Sequence, residues 1–325
     1  MNPTKPHAVL CVLVALINAN WVAPKSEPMA QRLFDGHRDN VYSIAASPDG
    51  RWIASASEDL TACVWDWKTG RLVARLEHDG PVYEATFSPD GRWLATADGN
   101  AKVHLFDAAK FQRVRTLEGH TGPVYALAFS PSSRWLATGG GEKDYVCRVW
   151  DVATGKCVQT LRRHQDAIYG VAFASDSVLA TSSADKTVCL WDWQRGDARV
   201  LQGHTSYVYR CRFSPDGQYL ATASHDRTVR VWEWATGKLL RTIQPSKQPV
   251  YAVSFSPNAR WLACVGEEHA VRIYAWKSEQ MPKVISDTRD VVYAVAWLQL
   301  DGQEYLTYGG GESKVRVVPV ASPTE

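Results

Sequence analysis

Short apolar segments separated by polar turns recur along the whole chain. The clearest marker is a β-branched residue followed by tyrosine, which occurs seven times at steps of 41, 42, 44, 40, 42 and 42 residues. Such a constant period is typical of a repeat architecture, in which each unit is one small supersecondary element. The repeated tyrosines are Tyr42, Tyr83, Tyr125, Tyr169, Tyr209, Tyr251 and Tyr293.

Each unit contains several short apolar segments of strand length. In the first unit, the turn signal Ser47-Pro48-Asp49-Gly50 precedes Trp52-Ile53-Ala54 and Cys63-Val64-Trp65-Asp66, and a turn at Thr69-Gly70 follows. Glycine and proline supply the backbone angles that tight reversals need. Turn signals about every ten residues, with no helical period, predict an all-β chain of four-stranded antiparallel blades.

Two dipeptides recur in phase with the tyrosines. They are Gly-His at Gly36-His37, Gly119-His120 and Gly203-His204, and Trp-Asp at Trp65-Asp66, Trp150-Asp151 and Trp191-Asp192. In these residues the chain resembles the WD-repeat (WD40) family, and the resemblance covers about residues 30 to 320. It implies a β-propeller, and seven repeats imply seven blades.

The two ends of the repeat array predict how the ring closes. The last repeat ends after a strand around Val315 to Val320 and lacks a fourth strand. The segment Ala30 to Phe34 has the pattern of the outer strands at Val73 to Leu76 and Leu239 to Ile243. We expect it to form the outer strand of the last blade, because that pairing removes an open sheet edge.

Four repeats contain a hydroxyl, a histidine and an aspartate, which are the elements of a hydrolase triad. An enzyme needs its nucleophile once, whereas this set recurs in register and includes a tryptophan. The family resemblance implies a hydrogen-bonded structural tetrad, so we assign no catalytic residue and predict no enzyme activity. The tetrads are His37, Ser55, Asp59 and Trp65; His120, Thr138, Asp144 and Trp150; His164, Thr181, Asp185 and Trp191; and His204, Thr222, Asp226 and Trp232.

Three repeats depart from the tetrad. Repeat two has Asn100 and Phe106 at the Asp and Trp positions, and repeats six and seven have Glu268 and Glu312 at the Asp position. We expect packing between sheets to hold these blades together. A second set of tryptophans, two residues after the main Trp position, is predicted to pack between blades and comprises Trp67, Trp193, Trp234 and Trp276.

The resemblance places the repeated tyrosine at the start of the innermost strand, around the mouth of the central channel on the top face. Tyrosine offers a large rigid contact surface and a hydroxyl. We therefore predict that this ring, with Tyr207 and with Glu58, Lys143, His225 and Glu267 in the adjoining turns, binds a peptide or loop of a partner protein. Tyr207 beside Tyr209 marks blade five as the centre. Simple packing, or inheritance from one duplicated blade, is the alternative explanation of the ring.

Composition and charge narrow the function further. The 36 basic and 34 acidic residues nearly cancel, so the sequence offers no dense basic face for nucleic acid. The glycine runs at 139–141 and 309–311 lack a following Lys-Ser/Thr, and no metal motif occurs, so we predict no cofactor and no metal. The prediction is a protein-interaction scaffold. The alternatives are an enzyme or small-ligand binder that uses the central channel, and a structural subunit that makes contacts through its blade sides.

The N-terminus differs in character from the repeats. Ala8 to Ala19 is mostly apolar and follows Lys5 and His7. It is too short to span a bilayer but fits the core of a signal peptide. We slightly favour a signal peptide over residues 1–23, with export to the periplasm or the extracellular space, over a cytoplasmic chain with an apolar tail. A linker at 24–29, the propeller at 30–320 and a tail at 321–325 complete the division, with no other segment able to cross a membrane.

Six cysteines outside the N-terminal segment form neither a CxxC pair nor a disulfide framework. They are predicted to be small apolar core residues. A turn at Thr154-Gly155 would place Cys157 opposite about Val152, away from Cys147. The six cysteines are Cys63, Cys147, Cys157, Cys189, Cys211 and Cys264.

A closed propeller needs no second copy to complete its core, so a monomer is favoured.

Overall fold

A computed structural model describes residues 31–285, 288–300 and 303–320 of the chain. These residues form seven sheets, each of four antiparallel strands. The predicted all-β fold of seven four-stranded blades is confirmed. None of the described residues belongs to a helix long and apolar enough to cross a membrane. The predicted signal peptide, linker and C-terminal tail lie outside the described residues.

The strands follow one another in a regular order from the inside of each blade to the outside. The first strand of the described residues is β1 (Arg32–Asp35), which is followed by β2 (Val41–Ala46), β3 (Trp52–Ser57), β4 (Thr61–Asp66) and β5 (Arg71–Glu77) in blade one, and by β6 (Val82–Phe87), β7 (Trp93–Asp98), β8 (Val103–Asp107) and β9 (Gln112–Leu117) in blade two. Blade three contains β10 (Val124–Phe129), β11 (Trp135–Gly140), β12 (Cys147–Asp151) and β13 (Cys157–Leu161), and blade four contains β14 (Ile168–Phe173), β15 (Val178–Ser183), β16 (Val188–Asp192) and β17 (Asp197–Leu201). Blade five contains β18 (Val208–Phe213), β19 (Tyr219–Ser224), β20 (Val229–Glu233) and β21 (Lys238–Ile243); blade six contains β22 (Val250–Phe255), β23 (Leu262–Gly266), β24 (Val271–Tyr274) and β25 (Lys283–Ile285); and blade seven contains β26 (Val292–Leu300), β27 (Gln303–Gly310) and β28 (Lys314–Pro319).

The core of the molecule lies between neighbouring sheets. The second strand of blade one is buried along nearly its whole length, whereas in the outer strand β5 only Leu76 is buried. Alanines such as Ala54 and Ala56 occupy the inner strands, where the sheets converge toward the axis and side chains must be small. Because each apolar cluster is shared by two sheets, a blade is stable only with its neighbours.

The ring closes through the N-terminal strand. Strand β1 pairs antiparallel with β28, with Phe34 opposite Val315, and so becomes the outer strand of blade seven. The predicted closure is confirmed, and the strand covers Arg32 to Asp35, so it ends one residue after the predicted Phe34. Phe34 is buried, whereas the adjacent Leu33 is 48% exposed.

The second set of tryptophans packs between blades as predicted. The Trp67 ring of blade one lies 5.0 Å from the ring of Tyr305 in blade seven. The other three, Trp193, Trp234 and Trp276, belong to apolar clusters shared by adjacent sheets.

The cysteine prediction is correct for five of the six residues and wrong for Cys157. The five are buried free thiols, but Cys157 is an exposed free thiol because it begins the outer strand β13. Cys157 pairs with Trp150 and not with Val152. The reason is that the turn between β12 and β13 begins at Asp151, whose carbonyl oxygen accepts a hydrogen bond from Gly155 N–H.

Candidate functional site

The repeated tyrosine is the bulged residue of the inner strand in every blade. In blade one, Val41 pairs with Ser57 and Ser43 pairs with Ala56, which leaves Tyr42 as an extra residue between them. The pairing shifts at the equivalent tyrosine in the other six blades. A bulge turns a side chain away from the regular pleat. The buried β-branched residue therefore stays in the core while the tyrosine turns to the channel mouth.

The seven tyrosines form a closed ring, which we call the tyrosine collar. Ring centroids of neighbouring members lie 4.7 to 5.6 Å apart, including the contact between Tyr293 and Tyr42 that completes the circle. All the rings are half-buried. They enclose a cup of about 300 Å³ that opens on the top face. Because each ring contacts two others at tilted or edge-on angles, the collar is rigid.

The turn between the second and third strands places polar partners on the collar hydroxyls. Tyr42 Oη donates to Glu58 Oε2 at 2.7 Å, and Tyr125 Oη donates to Glu142 Oε2 at 2.5 Å. Tyr209 Oη lies 3.1 Å from His225 Nδ1. These contacts bring Glu58 and His225 to the collar, where the sequence predicted them.

Glu142 is a site residue that the sequence prediction missed. Blade three carries an insertion after Gly139, so Glu142 and not Lys143 reaches the phenol of its own blade, and Lys143 has a left-handed φ of 72°. The tyrosine-to-acid spacing of 17 residues in blade three, against 16 in blade one, is the signal that could have identified it. Glu267 is exposed, and its charge acts on Tyr209 and Tyr251.

Tyr207 extends the collar outward on blade five. Its ring lies 6.5 Å from that of Tyr209 and 5.9 Å from that of His225, and the side chain is 43% exposed. Blade five thus presents three ring side chains in contact, those of Tyr207, Tyr209 and His225.

Burial raises the pKa of all seven collar phenols. Nearby carboxylates act in the same direction. Burial, followed by the charges of Glu142 and Asp166, raises the pKa of Tyr169 to about 12. The charge of Asp290 likewise raises the pKa of Tyr293. The phenols are therefore neutral hydrogen-bond donors at physiological pH, and their surroundings are negative.

A charged pair crosses the channel below the collar. Glu84 of blade two lies 2.9 Å from Arg210 of blade five, and Arg212 Nη2 lies 3.6 Å from the same carboxylate. Arg210 forms the floor of the cup, and its Nη1 donates to Tyr169 O at 2.7 Å. Sequence reasoning missed this pair because its members are far apart in the chain and occupy different repeats.

All four predicted tetrads form. In blade four, Trp191 Nε1 donates to Thr181 Oγ1 at 2.9 Å, Thr181 Oγ1 lies 2.7 Å from His164 Nε2, and His164 Nδ1 lies 2.7 Å from Asp185 Oδ2. The other three tetrads have the same connections. Each hydroxyl is fully buried and serves two partners, so the tetrad ties the loop before the inner strand to the middle of the blade.

Comparison with known proteins agrees with this geometry. The family described as the IFT122 first beta-propeller matches residues 81–318, and the family described as WD domain, G-beta repeat, matches residues 29–66. The chain belongs to the WD-repeat β-propeller family. The family resemblance inferred from the sequence is therefore confirmed.

Several curated proteins are similar to this WD-repeat propeller. Nuclear distribution protein nudF of Aspergillus niger is 27% identical over 206 residues, which cover 62% of this chain and 45% of that protein. The periodic tryptophan protein 2 homolog of Mus musculus is 34% identical over 191 residues, which cover 57% of this chain and 20% of that protein. The propeller thus spans less than half of the length of these relatives.

Blade two replaces the WD-repeat tetrad with a different network. His78 Nε2 still lies 2.8 Å from Thr96 Oγ1, but Phe106 offers no N–H to that hydroxyl. Asp98, and not Asn100, serves as the acid: it accepts from the backbone N–H of the turn and lies 3.2 Å from His104 Nε2. Asp98 is therefore paired with a second histidine, His104, while His78 Nδ1 lies 2.9 Å from Leu76 O.

Blade seven of the WD-repeat propeller leaves one tetrad position without a partner. Thr307 is fully buried, and its hydroxyl has no hydrogen bond, because Thr288 and Val318 stand where the four tetrad blades have His and Trp. Glu312 turns instead to Arg316 and to the backbone N–H of Arg289. Blade six is similar, with Glu268 paired to Arg272 at 2.6 Å.

Among the described residues, no group of three or more His, Cys, Asp or Glu side chains could hold a metal ion.

Proposed function

We propose that this propeller is a non-enzymatic scaffold that captures a peptide or loop of a partner protein on the tyrosine collar. The observation that supports the proposal is the bulge in all seven inner strands. Seven independent hairpins present the same side chain at one mouth, including blades six and seven, in which the tetrad is lost.

The collar also has the physical properties of a binding surface. Its rings are half-buried and already fixed by their neighbours, so little side-chain freedom remains to be lost when a partner binds. Tyrosine is enriched among the residues that dominate binding energy, because it combines apolar area with a hydrogen-bonding group. The cup offers a concave centre, and the turns around it offer charges that can distinguish partners.

A small-ligand site in the channel is the second candidate. Below the Glu84–Arg210 pair lies a cavity of about 410 Å³, lined by inner-strand residues and bottom turns of blades two to five. Arg212 and Glu84 both line this cavity, but the Arg212 side chain is 36% exposed and that of Glu84 only 6%, so a small anion beside Arg212 would be the suitable ligand.

Affinity capture from the lysate of the source organism tests the proposal. The baits are the full-length chain, a collar variant with Tyr169→Ala, Tyr209→Ala and Tyr251→Ala, and a side variant with Leu72→Ala, Val114→Ala and Val158→Ala. The side variant removes exposed apolar groups from the outer strands of three blades. Denaturant unfolding first establishes that each bait is folded.

The proposal predicts proteins that are retained by the wild type and by the side variant and lost from the collar variant. Retention by the collar variant with loss from the side variant would contradict it and would identify the propeller as a structural subunit. Recovery of no protein by any bait, together with anion binding that Arg212→Gln abolishes, would favour the channel-ligand function.

A further inference from the structure

The mouth of the cup carries a ring of negative charge, which we call the acidic rim. It consists of the carboxylates of Glu58, Glu142, Asp166, Glu267 and Asp290, contributed by five different blades. Two of them accept hydrogen bonds from collar phenols. Asp166 and Asp290 lie just before the inner strands β14 and β26, and Glu267 lies just after β23, so all three are at the collar end of their blades. Their charges raise the pKa values of collar tyrosines. A segment that lies across the mouth therefore meets negative charge on most sides.

The floor of the cup has the opposite sign. One carboxylate, Glu84, faces two guanidinium groups, those of Arg210 and Arg212, so the charged group in the channel has a net charge of +1. Arg210 closes the bottom of the cup, and only 14% of its side chain is exposed. A lysine or arginine inserted into the cup would bring a second cation against this floor, where little water is present to screen the repulsion.

The wall between rim and floor is apolar and aromatic. It consists of the seven collar rings, tilted or edge-on to one another. An aromatic ring inserted into the cup would make edge-on and stacked contacts with the collar rings. It would also lie above the Arg210 guanidinium, which is a favourable cation–π arrangement. An acidic side chain would have to pass the rim, and an aliphatic one would gain neither contact.

We propose that the collar selects a peptide segment with one uncharged aromatic side chain in the cup and lysine or arginine residues on both sides of it. The inference rests on the proposed function and adds the chemistry of the partner to it. The aromatic anchor supplies most of the affinity, and the flanking cations pair with the acidic rim.

Selection from a random peptide library displayed on phage tests this inference. The library is applied to the immobilised full-length chain and counter-selected on the collar variant defined above. We expect the enriched peptides to share one Phe, Tyr or Trp with Lys or Arg within a few positions on each side. Collar-dependent peptides with a basic, acidic or aliphatic anchor, or with acidic flanks, would overturn the inference and leave the proposed function standing. Absence of any collar-dependent peptide would overturn both.

Measured affinities test the two elements separately. In a fluorescently labelled consensus peptide, replacing the anchor by Ala should weaken binding roughly 30-fold. A rim variant with Glu58→Gln, Glu142→Gln and Glu267→Gln should weaken the basic peptide roughly tenfold at low salt, because exposed pairs are individually weak. It should weaken a peptide with neutral flanks much less than the basic peptide, because the neutral peptide forms no ion pair with the rim. Gln retains the carbonyl that accepts from the phenols, so the collar stays in place.

A charge-matched control separates the rim from net charge. Asp197→Asn, Glu233→Gln and Glu279→Gln remove three charges near the turns between third and fourth strands, on the face opposite the collar. This variant should bind the basic peptide like the wild type. Equal weakening by the two triple variants would overturn the role of the rim. An unchanged affinity after the aromatic anchor of the peptide is replaced by Ala would overturn the role of the anchor.

Discussion

Phe34 stands edge-on against Trp65, with ring centroids 5.7 Å apart. Phe34 belongs to the N-terminal strand that completes blade seven, and Trp65 is the indole of the first tetrad. The strand that closes the ring therefore also covers the hydrogen-bonded interior of blade one. The closure of the ring and the packing of the first tetrad therefore stabilise each other.

This contact predicts a large difference between two adjacent residues. Phe34→Ala should lower the free energy of unfolding by about 3–5 kcal/mol, because it leaves a cavity beside Trp65. Leu33→Ala on the opposite, exposed side of the strand should change it by less than about 0.5 kcal/mol. Chemical denaturation of both variants measures the difference, and similar losses would show that the strand does not close the ring as described.

Equivalent threonines in blades four and seven should respond differently to the same substitution. Thr181→Val removes the shared partner of His164 and Trp191, and should cost about 1–3 kcal/mol because both groups are left unpaired. Thr307→Val removes a buried hydroxyl that makes no hydrogen bond, and should be neutral or stabilising. Urea unfolding midpoints measure the stability of both variants. A comparable loss of stability in both would contradict the role of the tetrad hydroxyl.

Blade two should make stability sensitive to mild acid. Burial, assisted by the charge of His104, lowers the pKa of His78 to about 4, against 6.5 in its ordinary state. A depressed pKa means that the neutral form is favoured in the fold. The stability that neutral His78 contributes is complete above pH 6.5. As the pH falls toward 4, the free energy of unfolding decreases by up to about 3 kcal/mol.

The measurement is the urea midpoint of the wild type and of His78→Asn across that pH interval. The variant should show a shallower loss of stability, while His37, His120 and His204, whose pKa values burial also lowers, maintain part of the slope. His269→Asn, at an exposed position, serves as the control and should follow the wild type. Parallel curves for all three proteins would contradict the prediction.

The collar should be visible in an alkaline titration. Burial raises the pKa of its phenols, that of Tyr169 to about 12. A raised pKa contributes stability that is complete below the unfolded value of 10.0 and is lost as the pH rises through the folded value. Phenolate absorbance should therefore rise in two phases, and Tyr169→Phe should reduce only the later one. A single phase near pH 10 would contradict the burial of the collar.

The sequence was sufficient for the parts of the structure that recur. The number of repeats follows from their spacing, and ring closure follows from the strand missing in the last repeat. The blades and the four tetrads were implied by the resemblance to the WD-repeat family. The Glu84–Arg210 pair was beyond reach, since two single residues in different repeats leave no pattern. Glu142 was missed because the insertion in blade three shifts the register of one turn. The sequence did not reveal that Asp98, and not Asn100, is the acidic residue of the blade-two network, because that role depends on where His104 projects.

The charged pair beneath the collar also has a consequence for stoichiometry. Glu84 and Arg210 join opposite sides of the channel, with the cup above them and the lower cavity below. The axis is thereby divided into two separate compartments. Molecules bound at opposite mouths would not touch, so the channel would have room for two of them at once. They would still share one charge network, because Glu84 contacts Arg210 in the floor of the cup and Arg212 in the wall of the lower cavity.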